Sequence, residues 1–343
     1  MSKRIYVALD VHLKFIVAVW QVMGMGGRKK LTIEGTPEGL RKLVQAVGPG
    51  EVWAVYEASG SGLEVHDRLT EHGWKVWLLA PTHLPQSTDS RKNKSDERDA
   101  HRMLDVLVAH GELGTKLPWA WIPTRKTRED RELVRRRLKL AEKLGQIKNE
   151  TTGLLRVEAI RKPESLKTAW SDKHIAWLRG VAGTIAAPVG KVLRGLLDEL
   201  GFYQDQIRQM DEELQKLSEE PEYRDSTARM MELEGVGRLT AMTFLLELGD
   251  VNRFTNRRGL ARYTGLTPNR YASSDVDHKG HISRMGPYRL RKVLNQAAWA
   301  HVRTGGHWAS WYAETAKRRG AKIAIVGLMR KLAIDLWHLA KAA

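Results

Sequence analysis

The chain has 343 residues, 42% of them hydrophobic, and its 57 Lys and Arg against 40 Asp and Glu give a formal net charge of +17. This length allows two or three domains with their own hydrophobic cores. The absence of cysteine excludes disulfides, thiolate zinc sites and cysteine nucleophiles. The excess of cations indicates a polyanionic partner, because Lys and Arg release counterions from phosphate backbones. We therefore expect nucleic-acid binding.

We expect neither a membrane-spanning segment nor a secretory signal in this chain. It contains no run of 18 or more apolar residues, the length that predicts a membrane-spanning helix. Its N-terminus enters an apolar run with no cleavage site, so we expect no secretory signal. Together with the absence of cysteine, these features predict a bacterial cytoplasmic protein, and the expected nucleic-acid binding predicts its association with the nucleoid.

The first 80 residues predict a mixed α/β sheet. Short β-prone runs predict a hairpin followed by two further strands, at Ile5–Leu9, Phe15–Trp20, Val52–Tyr56 and Val76–Leu79. Helical spacing of apolar residues covers Pro37–Val47 and Leu63–His72, each followed by a glycine stop at Gly48 or Gly73. Strands that start as a hairpin and then alternate with helices are typical of an α/β fold.

Two segments follow the predicted sheet. Leu84–Asn93 is polar and predicts a loop, after which Ser95 is a plausible N-cap for a helix. Thr127–Arg156 has the pattern of a long basic helix that contains Arg135, Arg136 and Arg137. Such a charge run is typical either of a solvated helix face or of a helix that follows a phosphate backbone.

Residues 160–225 have helical patterns with little strand character. The apolar positions of Gly190–Ser218 are roughly heptad-like, which leaves a helical linker and a dimerising hairpin both open. Gly235 and Gly237 then predict a tight turn between two helices. Amides at such a turn can bind a phosphate, as in the helix-hairpin-helix motif, or the glycines can simply allow two helices to pack.

Four acidic residues have the pattern of a metal site. Asp10 and Glu57 lie at the ends of two strand-like runs, and Asp96 and Asp99 share one face of a helix start. Active sites of open α/β sheets lie at this rim. Four converging carboxylates need cations, and a pair of magnesium ions is the usual solution for phosphodiester chemistry. Taken singly, each residue has an ordinary structural explanation as a cap, an ion-pair partner or a helix-start charge.

The order and context of these acids resemble a known family. Leu9-Asp10-Val11, Tyr56-Glu57-Ala58-Ser59-Gly60 and Asn93-Lys94-Ser95-Asp96-x-x-Asp99 resemble the DEDD transposases of bacterial insertion sequences (the IS one-ten group), relatives of the Piv-type DNA invertases. The resemblance implies a RuvC-like, ribonuclease-H-like first domain. It also implies that Asp10, Glu57, Asp96 and Asp99 are catalytic and bind Mg²⁺, or Mn²⁺ in its place.

The C-terminal part resembles the same family. The motifs that match are Tyr263-x-Gly265-Leu266-Thr267-Pro268, Arg270-Tyr271-x-Ser273 and Gly280-His281-Ile282-Ser283-Arg284-x-Gly286. The resemblance implies that Ser273 is the catalytic serine. Ser274, which stands where the family has glycine, and Ser283 are rival candidates; serines in loops are ordinarily turn formers.

The resemblance also implies a mechanism and partners. Ser273 would attack a DNA phosphodiester and form a transient phosphoserine, and a noncoding bridge RNA would choose the donor and target DNA. The active form would be a homo-oligomer, a dimer or a tetramer on DNA. The basic helix and the glycine turn add Arg135, Arg136, Arg137, Gly235 and Gly237 as candidate nucleic-acid-binding residues, and near the candidate serine the phosphates could be held by Arg270, Lys279, Arg284, Arg289 and Arg291.

The expected organisation is a RuvC-like domain over 1–158, a helical or coiled-coil linker over 159–225, and a mainly α-helical transposase domain with a helix-hairpin-helix-like element over 226–343. Two other functions use the same residues. A RuvC-like structure-specific nuclease or a DNA invertase would keep the acids but give a different product. A non-catalytic nucleic-acid-binding protein would use the acids for structure alone.

Overall fold

The computed structural model describes residues 3–57, 62–80, 96–273 and 276–342, and of residues 96, 97 and 270–279 it describes the backbone alone. The chain forms two compact units, with the division between Pro123 and Thr124. The expected domain limits at 158 and 225 stay a prediction. The predicted loop at Leu84–Asn93 and the predicted N-cap Ser95 lie outside the described residues.

The first unit is built on one mixed sheet. Its strands are β1 (Arg4–Val11), β2 (Phe15–Val22), β3 (Lys29–Glu34), β4 (Glu51–Glu57), β5 (Lys75–Leu79) and β6 (Trp119–Ala120), in the order β3-β2-β1-β4-β5-β6. β1 and β2 form the predicted antiparallel hairpin. The central pairs β1–β4 and β4–β5 are parallel, so the expectation of a mixed α/β fold is confirmed.

Helices cover both faces of this sheet. They are α1 (Pro37–Val47), α2 (Gly62–Glu71) and α3 (Asp96–Leu113). Ile5, Val7 and Leu9 of β1 share a hydrophobic cluster with residues of α1 and α2. Tyr6 and Ala8, which point to the opposite face, share another cluster with residues of α3. The alternation along β1 thus separates the two cores.

The second unit is mostly helical, as predicted. Its helices are α4 (Arg125–Val157), α5 (Asp172–Thr184), α6 (Ala187–Ser218), α7 (Arg224–Met231), α8 (Arg238–Leu248), α9 (Arg257–Tyr263), α10 (Tyr288–Arg303), α11 (Ala309–Arg319) and α12 (Ala321–Lys341). A two-stranded antiparallel ribbon interrupts them, formed by β7 (Pro268–Ser273) and β8 (Val276–Ile282). The sequence did not predict this ribbon.

Helices α4 and α6 pack side by side in opposite directions. Val134, near the start of α4, shares a cluster with Leu214 and Leu217 at the end of α6. Ile147, further along α4, shares another with Leu196 and Leu200 near the start of α6. The heptad-like pattern of α6 therefore buries much of its apolar stripe against a helix of the same chain. No helix among the described residues has the length and apolarity needed to cross a membrane.

Candidate active site

Asp10 and Glu57 lie at the carboxyl ends of two neighbouring parallel strands. The pairing of β1 with β4 runs as far as Leu9 opposite Tyr56, and Asp10 and Glu57 are the next residues on each strand. Because both strands run the same way, both acids stand at one edge of the sheet. The register of β1 and β4 thus brings together Asp10 and Glu57, two of the four acidic residues that the sequence predicts as metal ligands.

The two carboxylates also point to the same face. Side chains alternate along a strand, so Asp10 shares a face with Tyr6 and Ala8, and Glu57 shares a face with Val55. Tyr6, Ala8 and Val55 all belong to the cluster that α3 covers. Asp10 and Glu57 therefore project on the side of the sheet where α3 packs.

The direction of α3 brings its first turn toward the same edge. The Tyr6 hydroxyl, near the start of β1, donates a 2.5 Å hydrogen bond to Glu112 in the last turn of α3. From Tyr6 to Asp10 the strand rises about 13 Å, and α3 spans about 18 Å from Gly111 back to Asp99. The helix therefore runs antiparallel to β1 and begins at the acidic edge, with Asp96 as its first residue and Asp99 one turn on.

The first turn of α3 carries mixed charge. The Asp99 side chain keeps 32% of its surface exposed and lies 3.8 Å from the Arg102 guanidinium. At this distance and exposure the pair contributes little stability, so Asp99 is not locked into a structural role. The side chain of Asp96 lies outside the described residues.

His12 is a member of this edge that the sequence analysis did not single out. Its Nε2 lies 3.3 Å from Oδ2 of Asp10, and its ring packs at 4.7 Å from the ring of Phe15. The available signal was its place two residues after Asp10, directly after the end of β1. The imidazole thus lies within hydrogen-bonding distance of the Asp10 carboxylate.

These observations define what the acidic edge can do. Its donors are carboxylate oxygens, the ligands that Mg²⁺ and Mn²⁺ prefer. The Asp10 side chain is 19% exposed, so it is held by the fold and still reachable. Acids at the rim of a sheet beside a helix start can hold a divalent cation against a phosphodiester.

Ser273 lies at the end of β7, not in an irregular loop as the sequence suggested. It pairs with Val276 at the last step of the β7–β8 ladder, which places it at the tip of the ribbon. The alternative Ser274 lies outside the described residues, as do the side chains of Arg270, Ser273 and Lys279. The Oγ atom of Ser283, the third candidate, is buried and has no hydrogen-bond partner among the described residues.

The base of the ribbon is a close contact between two glycine turns. Gly265 and Gly286 have positive φ angles of 69° and 84°. A Cβ atom at Gly265 would stand 2.1 Å from the Met285 carbonyl oxygen, and one at Gly286 would stand 1.8 Å from that of Tyr263. Only glycine allows this approach, which explains why both motifs carry one there.

Arg291 ties the two turns together. Its Nη1 donates to the carbonyl oxygens of Thr264, Met285 and Gly286 at 3.2–3.3 Å. Burial lowers the pKa of this guanidinium, and the nearby Arg284 lowers it further. The structure thus gives Arg291, proposed from the sequence as a phosphate ligand, a role in holding the ribbon base.

Comparison with known proteins identifies the family of this chain. Residues 7–158 match the model of the DEDD transposases of the IS110 type. Residues 227–313 match the model of the transposase IS116/IS110/IS902 family. The chain belongs to the IS110 group of DEDD transposases. The resemblance inferred from the sequence is confirmed, and membership of a DEDD family indicates dependence on a divalent metal ion.

Three relatives match this transposase over different shares of its length. It is 25% identical to a transposase for insertion sequence element IS1533 from Leptospira borgpetersenii, over 98% of this chain and 95% of that protein. It is 26% identical to a transposase for insertion sequence element IS1111A from Coxiella burnetii, over 83% and 76%. A pilin gene-inverting protein from Moraxella bovis is 27% identical over 39% of this chain and 43% of its own.

Two of the three consecutive arginines of α4 have acidic partners within the transposase. Arg135 makes two hydrogen bonds to the carboxylate of Glu247, at 3.0 and 3.2 Å. Arg137 makes two to Asp211, at 2.8 and 3.0 Å. Arg136 is exposed and has no ion-pair partner among the described residues. Of the three, Arg136 is therefore the side chain that faces solvent without an acidic neighbour.

Glu247 lies at the centre of a cluster of arginines that the sequence analysis missed. Its side chain is 2% exposed, and Nε of Arg131 and Nη1 of Arg289 each lie 3.9 Å from it. Burial lowers the pKa of Arg131 more than the charge of Glu247 raises it. Burial also lowers the pKa of Arg135, but the hydrogen bonds of Arg135 to Glu247 outweigh this effect, so the pKa of Arg135 is raised. This cluster joins α4 to α8 and α10.

The predicted glycine turn between α7 and α8 packs tightly against α10. Gly235 has a positive φ of 83°, and a Cβ there would lie 2.5 Å from the His301 amide nitrogen. Gly237 is the N-cap of α8 and has an open environment, with nothing near its missing Cβ. Gly235 thus serves helix packing, while the amides that follow Gly237 remain a predicted phosphate site.

Glu234, His301 and His307 form the one group with metal-ligand spacing outside the acidic edge that the described residues contain. His301 is fully buried, and its Nε2 accepts a hydrogen bond from the Trp308 amide at 3.1 Å. Its Nδ1 must then carry the proton, which it donates to the Glu234 carbonyl oxygen at 2.7 Å. Neither nitrogen has a lone pair left for a metal, so this cluster is structural.

Proposed function

We propose that this transposase cuts and rejoins the DNA of an insertion sequence with two catalytic parts, a metal-binding acidic edge and the serine at the ribbon tip. The metal ligands in this proposal are Asp10, Glu57, Asp96 and Asp99. The observation that carries it is the convergence of Asp10 and Glu57 on the face and edge of the sheet where α3 begins. A ribonuclease-H-like, RuvC-like first unit fits this arrangement.

Magnesium, with manganese as a substitute, is the proposed metal. When bound, it would neutralise charge on the phosphate and lower the pKa of the attacking hydroxyl. The four acids would hold it at the edge, and His12 would keep the Asp10 carboxylate turned toward it. Oxygen-only ligands favour these hard cations over zinc or copper.

Ser273 is the proposed nucleophile. Its Oγ would bond to the DNA phosphorus, and the deoxyribose oxygen would leave and take up a proton. A second DNA hydroxyl would then attack the phosphoserine, restoring the phosphodiester and returning a proton to the serine. Serine needs a base or a metal for this attack. We therefore propose that the reaction needs both Ser273 and the metal ion of the acidic edge.

The remaining partners are proposed from the family resemblance and the charge. A noncoding bridge RNA would pair with donor and target DNA, and an oligomer of the chain would assemble on them. The net charge of +17 would then serve two nucleic acids. Association with nucleoid DNA follows from the same proposal.

Site-specific inversion is a second candidate, supported by the match to the pilin gene-inverting protein over residues that amount to 39% of this chain. Both candidates use the same cleavage chemistry. They differ in whether the rejoined ends belong to an excised element or to an inverted segment. Recombination between two target sites on one plasmid, in both orientations, separates them by product size.

The acidic edge is tested by isosteric substitution. Asp10→Asn, Glu57→Gln and Asp96→Asn should each abolish Mg²⁺-dependent strand cleavage while the melting temperature stays at or above that of the wild type, because removing one of several crowded charges relieves repulsion. Glu38→Gln is the matched control, since Glu38 is 59% exposed on α1 and pairs with Arg41. Cleavage retained by two of the three edge variants would refute the metal-site assignment.

A further inference from the structure

A pocket of about 510 Å³ lies between the end of α4 and the start of α5 in the second unit. It has the size of a small-ligand site. Its walls include the cations Arg156, Arg161 and Lys162, the apolar Ile160, and the rings of Trp170 and His174.

The charge of this pocket is of one sign. None of the described residues that line it is acidic. Lys162 donates one hydrogen bond to the Leu166 carbonyl oxygen, which leaves two of its ammonium donors. Lys148 adds a further cation, with Nζ 5.5 Å from the centre of the Trp170 ring. An anion is the ligand that such walls favour.

Two fixed rings complement this charge. Trp170 is half-buried, and its amide donates to Nδ1 of His174 at 2.9 Å. His174 stacks on Trp177 at 5.6 Å with an angle of 16° between the rings. Burial lowers the pKa of His174, and the charge of Lys162 lowers it further. With Nδ1 as an acceptor, the neutral ring keeps its proton on Nε2 as a donor.

The backbone at both ends of the pocket is strained. Ala159 and Trp170 have φ angles of 55° and 63°, and among the described non-glycine residues only Arg284 also has a positive φ. Both residues line the pocket. The Ile160 amide caps α4 by donating to the Leu155 carbonyl oxygen at 2.8 Å. Strained conformations of this kind concentrate at ligand-binding sites, where the surrounding structure holds them.

We propose that this pocket binds one nucleotide of a single-stranded nucleic-acid segment, with the phosphate on Arg156, Arg161 and Lys162 and the base against Trp170. Sites that bind single strands combine cations, which contact the phosphates, with an aromatic ring on which a base stacks. A nucleotide in a duplex is stacked on both sides and cannot enter a pocket of this size. The proposal rests on the proposed function only for the presence of DNA and RNA partners.

Binding to fluorescein-labelled oligonucleotides tests the charge of the pocket. Arg161→Gln/Lys162→Gln should weaken binding of single-stranded oligo-dT or oligo-U about tenfold at 0.15 M salt and lower the salt slope by about one unit. Binding to a duplex of equal length should change less than twofold. The control is Lys173→Gln/Lys191→Gln, which removes two exposed cations of α5 and α6 that do not line the pocket.

Comparison of oligo-dT with oligo-U shows whether the pocket binds DNA or RNA. A preference of more than tenfold for either polymer identifies the source of the nucleotide. Equal losses in the pocket and control variants would overturn the proposal. So would equal losses for single strands and duplexes. Thermal melts of both double variants should match the wild type, since these side chains are exposed.

Photocrosslinking locates the base. An oligonucleotide with 5-iodouracil should crosslink to Trp170, within the tryptic peptide Thr168–Lys173. Crosslinks confined to other peptides would refute the pocket, even if the protein recombines DNA. Conversely, a crosslink at Trp170 in a protein that shows no strand cleavage would support the pocket and refute the proposed function, so the two failures are distinguishable.

Discussion

Glu247 shows how a basic sequence run can serve structure. The pattern of α4 left two explanations for Arg135–Arg137, a solvated face or a phosphate-tracking face. The structure adds a third, because Arg135 is held by a carboxylate that is 2% exposed on another helix. This partner lies more than a hundred residues away in the sequence, so helical periodicity could not reveal it.

Because Glu247 is buried, its substitution should have a large effect on stability. Glu247→Gln should lower the free energy of unfolding by about 3 kcal/mol, because it removes the buried carboxylate that Arg131 and Arg135, both partly buried, share. Asp211→Asn is the control, since it breaks the equivalent pair with Arg137 at an aspartate that is 47% exposed, and it should cost about 0.5 kcal/mol. Urea unfolding of both variants measures the difference. Equal costs would show that the Glu247 cluster is not a buried clamp.

At the scale of elements, the predicted part of the fold is the part with strong local signals. β1, β2 and β4 are largely buried runs of β-prone residues, β5 is a partly buried one, and the glycines after α1 and α2 end both helices near the predicted positions. The acidic edge was predictable for the same reason, since Asp10 and Glu57 follow two such runs.

The ribbon β7–β8 had no comparable signal. Its strands are rich in polar residues, such as Arg270, Asp277 and Lys279, so no apolar alternation marks them. What fixes it is the contact of Gly265 with Met285 and of Gly286 with Tyr263, which joins two turns about 20 residues apart in the sequence. Tertiary contacts of this kind are not visible in local patterns, and Ser273 was therefore expected in a loop.

The ribbon base gives a prediction for a single element. Gly286→Ala should displace the ribbon and abolish recombination, because its Cβ would stand 1.8 Å from a backbone oxygen of Tyr263. Gly280→Ala is the matched control within β8, where the nearest atom would lie 3.4 Å away. Limited proteolysis should cut Gly286→Ala between residues 265 and 286 faster than the control. Equal protection and full recombination in Gly286→Ala would contradict this view of the base.

At the scale of the whole molecule, charge is divided between structure and binding. The net charge of +17 counts every cation equally, whereas Arg135, Arg137 and Arg291 have partners inside the second unit. Composition therefore predicts that the protein binds nucleic acid but does not predict which cations contact it. Exposed cations without acidic neighbours are the better candidates.

Arg136 tests this division. Arg136→Gln should weaken DNA binding and lower the slope of log K against log salt by about 0.9, the value for one lost phosphate contact, with an unchanged melting temperature. Arg137→Gln should leave the slope within error, because that guanidinium is already paired with Asp211. Fluorescence anisotropy from 50 to 300 mM salt measures both. A larger change of slope for Arg137→Gln would reverse the assignment.

The central claim is that a serine at the ribbon tip, assisted by the acidic edge, forms a covalent link to DNA. The most direct measurement is mass spectrometry of the protein trapped on a nicked suicide substrate in Mg²⁺. We predict DNA attached to Ser273, an adduct absent from Ser273→Ala and from Asp10→Asn, and retained by Ser283→Ala. Strand cleavage with no adduct would show a hydrolytic nuclease, and attachment to Ser274, Ser283 or a tyrosine would contradict the assigned nucleophile.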